Sequence, residues 1–372
     1  MTHRKTRVLI VDDSCVIRQM ICDLVSEAAD MEVVGVASNG AQAVELCQSS
    51  RPDVVTLDIQ MPGMDGLAAL DAILAQRPVV VIMVSALTQL GAAVTLEALD
   101  RGALDYVAKP ESKAETENVL GEGLLRKIRV MANADVRRIL EIRARRVQQR
   151  RPRELRRPND APRPDIVALA NKCIALAIST GGPPALTGLF ESLRPPLPPI
   201  VVVQHMPPRF TKPLAWRLDS VSELNIREAA EGDVLRPNHV LIAPGGQHLE
   251  LRRVGGRVKA VIRDGEPVSG HKPSADVMMT SAATAFGPNC LGVIMTGMGH
   301  DGAEGCRALR AGGGFVLGQD EATSDVYGMN KVAFQQGHVD RQFALHDAAA
   351  AITGQIQRLW GRSGVLSAAT IH

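Results

Sequence analysis

The chain has 372 residues, 22% charged and 45% hydrophobic, long enough for two or three domains that each bury a core. Its 42 basic and 40 acidic side chains leave a formal charge of only +2, so the whole-chain balance gives no case for a nucleic-acid or anionic-membrane partner. Six scattered cysteines with no CxxC pair exclude a zinc ribbon or a disulfide framework, and aromatics at 3% argue against base-stacking platforms. The N-terminus has no signal-peptide core, and no uncharged apolar run approaches the ~20 residues of a membrane span. A cytoplasmic protein with reduced thiols is the expectation.

From Arg7 to about Pro110, β-branched runs alternate with helix-like segments: VLIVDD, VIRQMICDLV, EVVGVA, AQAVELC, DVVTLD, LAALDAILA, PVVVIMVS, AAVTLEAL and DYVAKP. Such alternation predicts a parallel, doubly wound sheet, and the continuously apolar Val79 to Val84 fits a strand covered on both faces. Functional groups of an open parallel sheet gather at the carboxyl ends of its strands. Asp12 and Asp13 end the first strand, Asp58 the third, Ser85 the fourth and Lys109 the fifth. Three carboxylates brought together need a cation, and all-oxygen ligands suit Mg²⁺. One of them would then accept a phosphoryl group, its charge neutralised by metal and lysine. The competing reading has Asp12-Asp13 capping the helix that starts at Ser14.

VDDS, LDIQMPGMDG, VSAL and AKP together resemble the response-regulator receiver domain, over roughly residues 5 to 122. The resemblance implies a flavodoxin-like fold with Asp58 as phosphoacceptor and Asp12, Asp13, Asp58 and the Gln60 carbonyl around Mg²⁺. It also implies Ser85 and Tyr106 as switch residues, Lys109 beside the phosphoryl group, and a histidine kinase as phosphodonor.

Residues 126 to 163 carry fourteen Lys or Arg against four acids, a net +10, and end in Pro152, Pro158, Pro162 and Pro164. They read as a helical tail passing into a basic linker. Residues 1 to 110, with eight bases against fourteen acids, sum to −6. The expected organisation is therefore 1–125, 126–166 and 167–361.

The last block opens with CIALAIS and TGGPPALTGLFESL and continues through IVVVQHMPP, HVLIAPGGQH, ADVMMTSAATAF, CLGVIMTGMGHDG and GFVLGQD, a second α/β domain. Ser179, His205 and Asp301 follow three apolar strands. A hydroxyl needs a base to become a nucleophile, and the base needs an anion to fix its tautomer. Each residue also has a plainer reading: Ser179 as a helix N-cap, His205 as a polar plug and Asp301 as a cap of the helix after it. His300 competes as base, but adjacent side chains point apart, which favours His205. His248 and His271 lie in polar loops where they would line a pocket or be solvated, and Cys173 reads as core.

STGGP, QHM, APGG and TGMGHDG resemble the catalytic domain of the chemotaxis receptor methylesterase across residues 170 to 355. That likeness implies a Ser179, His205 and Asp301 triad that needs no metal, with Thr180 and the Met298 N–H supporting the oxyanion. The implied substrates are γ-glutamyl methyl esters, and glutamines, on methyl-accepting chemoreceptor cytoplasmic domains, reached through protein contacts at the membrane. Phosphorylation of the receiver would relieve its cover of the esterase cleft. Ala177-Ile178 stand where Gly-Ala is usual, His300 where Asn is usual, and Asn330 replaces a customary proline. The rival functions are a DNA-binding response regulator using the +10 segment, without a helix-turn-helix pattern to support it, and an inactive scaffold.

Overall fold

The computed structural model describes residues 4–86, 88–109, 123–132, 134–148 and 166–361. It divides into two compact units, Met1–Val147 and Gln148–His372. Positions 149–165 of the expected linker lie outside the described residues.

In the first unit, β1 (Thr6–Val11), β2 (Met31–Ala37), β3 (Val54–Asp58), β4 (Val80–Ser85) and β5 (Asp105–Ala108) form one sheet in the order β2-β1-β3-β4-β5. Every pairing is parallel. β3 and β4 are buried at every position, as both-face coverage by helices requires of their apolar runs. The helices start at polar caps: Ser14, Asn39, Asp65 and Thr88 each accept an N–H of their own first turn. Ser14, not Asp12 or Asp13, is therefore the cap of the first helix.

Two further helices, Gly123–Met131 and Val136–Gln148, come from the basic stretch. Leu124, Ile128, Met131, Val136 and Ile139 are buried in the same apolar cluster as Val8, Ile10, Val54 and Ile82. Arg143 is buried too, and its Nη1 donates to Leu99 O and Ala103 O at 2.9 and 3.1 Å, where the helix Gln89–Arg101 ends.

The second unit holds a seven-stranded sheet, β14-β13-β12-β6-β7-β9-β8, again parallel throughout. Its strands are β6 (Cys173–Ile178), β7 (Ile200–Gln204), β8 (Asn225–Glu228), β9 (His239–Ile242), β12 (Cys290–Ile294), β13 (Phe315–Gln319) and β14 (Arg341–Phe343). From β6 the chain winds outward one way through β7, and later the other way through β12. The strand order thus reverses between β6 and β12, the place where open α/β sheets bind ligands. A separate antiparallel hairpin, β10 (His248–Val254) and β11 (Arg257–Arg263), packs its apolar face into the core with Leu249, Leu251, Val258 and Ala260. Cys173 is buried and faces Cys290 in register. Among the described residues no helix is long and apolar enough to cross a membrane.

Candidate active site and phosphorylation site

Ser179 is the first residue after β6, at the reversal point. Its N–H donates to Thr296 O at 2.9 Å, which anchors the turn to the end of β12. Ser179 does not cap the following helix: Gly181, at φ 78°, holds the N-cap position of Gly182–Ser192 without a side-chain bond. Gln204 braces the turn, its amide nitrogen donating to Ser179 O at 3.0 Å and His205 O at 3.2 Å. Any side chain at Gly182 would collide with the Gln204 amide oxygen. Gly297 is equally constrained, since a Cβ there would lie 2.7 Å from Ser179 Cβ.

Ile178 and Gln204 are register partners on β6 and β7, so the residues that follow them, Ser179 and His205, emerge side by side. The His205 N–H donates to Ile178 O at 3.2 Å. The third residue arrives from the far side of β6, on the loop after β12. His205 Nε2 lies 2.7 Å from Asp301 Oδ2, leaving Nδ1, buried and without a hydrogen-bond partner, as the nitrogen available to take a proton.

Asp301 is fully buried, and it caps a helix other than its own. Oδ2 also accepts the Ala275 N–H at 2.6 Å, while Oδ1 accepts Ser274 Oγ–H at 2.7 Å and the Asp276 N–H at 3.0 Å. These donors begin the helix Ala275–Phe286, whose positive end favours an anion. Burial by itself would raise the Asp301 pKa; the His205 bond and charge, the Ala275 N–H and the Ser274 hydroxyl overcome it and hold the carboxyl well below the usual carboxylate range. Asp276 is pushed up instead, by burial and by the Asp301 charge, against the Gly305 N–H it accepts.

Of the other residues singled out from sequence, Met298 is buried, and its N–H enters no hydrogen bond among the described residues. Thr180 is buried, and its carbonyl accepts Thr296 Oγ–H at 3.0 Å. His300 is exposed whereas Asp301 is buried, so the neighbours do point apart. His248 is a buried brace: Nδ1 accepts the Ser274 N–H at 3.2 Å and Nε2 meets Glu266 O at 3.0 Å. Ala177 and Ile178 are fully buried in β6. Asn330, in the first turn of the helix Met329–Gln335, donates its amide to Gln319 O and Ser324 Oγ, both at 2.8 Å. Sequence reasoning missed Gln204, Ser274 and Asp276 as supports; Ser274 alone carried a signal, as an N-cap serine before an apolar helix.

In the first unit, Asp12, Asp13 and Asp58 bring carboxylate oxygens within 4.8 Å of one another. Asp12 and Asp58 are buried and Asp13 is exposed. Lys109 Nζ bridges the buried pair, 2.8 Å from Asp12 Oδ2 and 2.9 Å from Asp58 Oδ2. Burial first, then the Asp12 charge, push the Asp58 pKa up to about 6 against the pull of Lys109. An all-oxygen donor set with one open side is the chemistry a Mg²⁺ ion accepts, because that ion keeps several of its waters. Asp13, Asp58, Gln60, Ser85 and Lys109 line one cleft. Ser85 Oγ accepts Thr95 Oγ–H at 2.8 Å. Tyr106, buried on β5 with its ring under Lys127 at 5.2 Å, does not line that cleft.

Comparison with known proteins follows the same division. Residues 174–352 match the CheB methylesterase family and residues 8–120 the response regulator receiver domain. A protein-glutamate methylesterase/protein-glutamine glutaminase of Pyrococcus abyssi is 40% identical over 97% of this chain and 96% of its own length. One from Caulobacter vibrioides is 43% identical over 94% of this chain and 97% of its own length. The catalytic domain of the Thermotoga maritima CheB methylesterase, known from a crystal structure, is 37% identical over 50% of this chain and 98% of that one, with a TM-score of 0.49. The chain belongs to the CheB family of protein-glutamate methylesterases/protein-glutamine glutaminases, with a receiver domain ahead of the methylesterase domain.

Proposed function

We propose that the second unit hydrolyses γ-glutamyl methyl esters, and deamidates glutamines, on the cytoplasmic domains of chemoreceptors, with Ser179 as nucleophile, His205 as base and Asp301 as its anion. The observation that carries this reading is the reversal of strand order at β6, which sets Ser179 between the strand that supplies His205 and the strand that leads to Asp301. His205 Nδ1 takes the Ser179 hydroxyl proton as Oγ attacks the ester carbonyl. The Met298 N–H, with Thr180 supporting the turn, faces the negative charge that develops on the carbonyl oxygen. His205 then gives the proton to the departing methoxide oxygen, releasing methanol, or to the departing amide nitrogen, releasing ammonia. Deprotonated by His205, a water opens the acyl-enzyme to free glutamate and regenerates Ser179. General-base assistance supplies about 10²- to 10⁴-fold, and one oxyanion donor about 10²- to 10³-fold.

In the first unit, Asp58 accepts the phosphoryl group from a histidine kinase. Asp12, Asp13, Asp58 and the Gln60 carbonyl would hold Mg²⁺, which when bound neutralises charge on the transferring group. Lys109 pairs with the phosphoryl oxygens, and Ser85 and Tyr106 report its arrival. The phosphoryl group adds about 1.5 to 2 negative charges and relieves the receiver's restraint of the esterase.

Methanol release from methylated receptor membranes, with and without a small phosphodonor, tests both halves. Release that needs Ser179 and rises with phosphodonor is the expected result; turnover by Ser179→Ala overturns the triad.

A further inference from the structure

One face of the His205 ring is covered by His271, with centroids 3.8 Å apart and planes within 6° of parallel. A built turn presents His271. Val268 and His271 exchange backbone hydrogen bonds of 3.1 and 2.9 Å across Ser269 and Gly270, both at positive φ, 53° and 75°, as a two-residue turn of the primed kind requires. Ser269 Oγ donates to Asp276 Oδ2 at 3.1 Å, and the other Asp276 oxygen accepts the N–H groups of Gly302 and Gly305, each at 2.8 Å. Asp276 thereby fastens the turn that carries His271 to the loop that carries Asp301.

We infer that His271 is a positioning residue for the base His205, an inference that rests on the triad reading above. The bond from Nε2 to Asp301 fixes one edge of the His205 ring in its plane and leaves the ring free to tilt about that bond. A parallel ring 3.8 Å away blocks tilt towards the covered face and so holds the Nδ1 edge in its plane. The stacked π face also favours the cation that His205 becomes when it takes the serine proton. Both effects belong to the proton-transfer step, so losing the ring should lower kcat and leave KM nearly unchanged.

The full-length chain tests this by methanol release from methylated receptor membranes. His271→Ala should lower kcat roughly ten- to a hundredfold, the scale on which misplaced catalytic groups cost rate, with KM within about twofold. His271→Phe keeps a stacking face and should recover kcat to within about threefold of the parent, the size of residual effect expected of a retained face. His271→Leu fills the same space without that face, should be as slow as alanine, and replaces it if the alanine variant does not fold. Wild-type kcat in the alanine or leucine variant, or a phenylalanine variant as slow as leucine, overturns the inference. Ser179→Ala run alongside separates the outcomes: turnover there sinks the triad reading, whereas a dead Ser179→Ala beside a fully active His271→Leu sinks only the role of His271.

Discussion

His205 meets Asp301 through Nε2 at 2.7 Å while Nδ1 is the ring nitrogen with no partner. Asp301 therefore selects the tautomer with the proton on Nε2, and Nδ1 is the basic nitrogen. Asp301→Asn would present either an amide N–H or a neutral carbonyl to Nε2 and lose that selection. The expected fall in kcat is on the order of 10⁴-fold, as when the anion of such a triad is neutralised, read from methanol release.

The same carboxylate predicts a pH dependence. Its folded pKa is depressed below the unfolded one, so its ionised form contributes stability that is fully present above about pH 5 and is lost as the pH falls through the unfolded value towards the folded one. Asp301→Asn lacks this contribution. Urea unfolding at a series of pH values should show the parent's advantage over the variant shrinking as the pH drops from about 5 to about 3.

Asp58→Asn should leave basal ester hydrolysis intact and abolish stimulation by a small phosphodonor, because an amide cannot accept the phosphoryl group. Undiminished stimulation of the variant would refute Asp58 as acceptor.

Asn330 bears on stability through its two buried amide hydrogen bonds. Replacing it with alanine leaves Gln319 O and Ser324 Oγ without their amide donor in a fully buried site. The cost should be about 1–3 kcal/mol, visible as a melting temperature roughly 3–8 °C lower.

Much of this fold lay in the order of the sequence. Strands β1, β3, β4 and β6 are largely apolar runs; β3 and β4 end on Asp58 and Ser85, and Asp12 and Ser179 directly follow β1 and β6. The hairpin His248–Val254 with Arg257–Arg263 went unread, although alternating residues around Gly255-Gly256 carried a local signal for it. Of the supports of the site, only Ser274 left a local trace, as the N-cap of the helix it begins. Gln204 acts on a carbonyl 25 residues away, and Ser274 and Asp276 act on a loop 25 or more residues downstream. Such bonds exist only once strands and helices have packed, so no periodicity or spacing encodes them. His271 illustrates the limit: its Ser-Gly turn is a local feature, but the ring it delivers finds its purpose only against His205.

The burial of Leu124, Ile128, Met131, Val136 and Ile139 with the first sheet bears on how the chain may be cut. The receiver family match ends at residue 120, yet a fragment ending there would lose five apolar side chains from its core, at about 1.5–3 kcal/mol for each of the larger ones. That sum rivals the whole stability of a small domain, about 5–15 kcal/mol. The first compact unit runs to Val147, so the basic segment that reads as a tether contributes, from Leu124 to Arg143, buried side chains to the domain it follows.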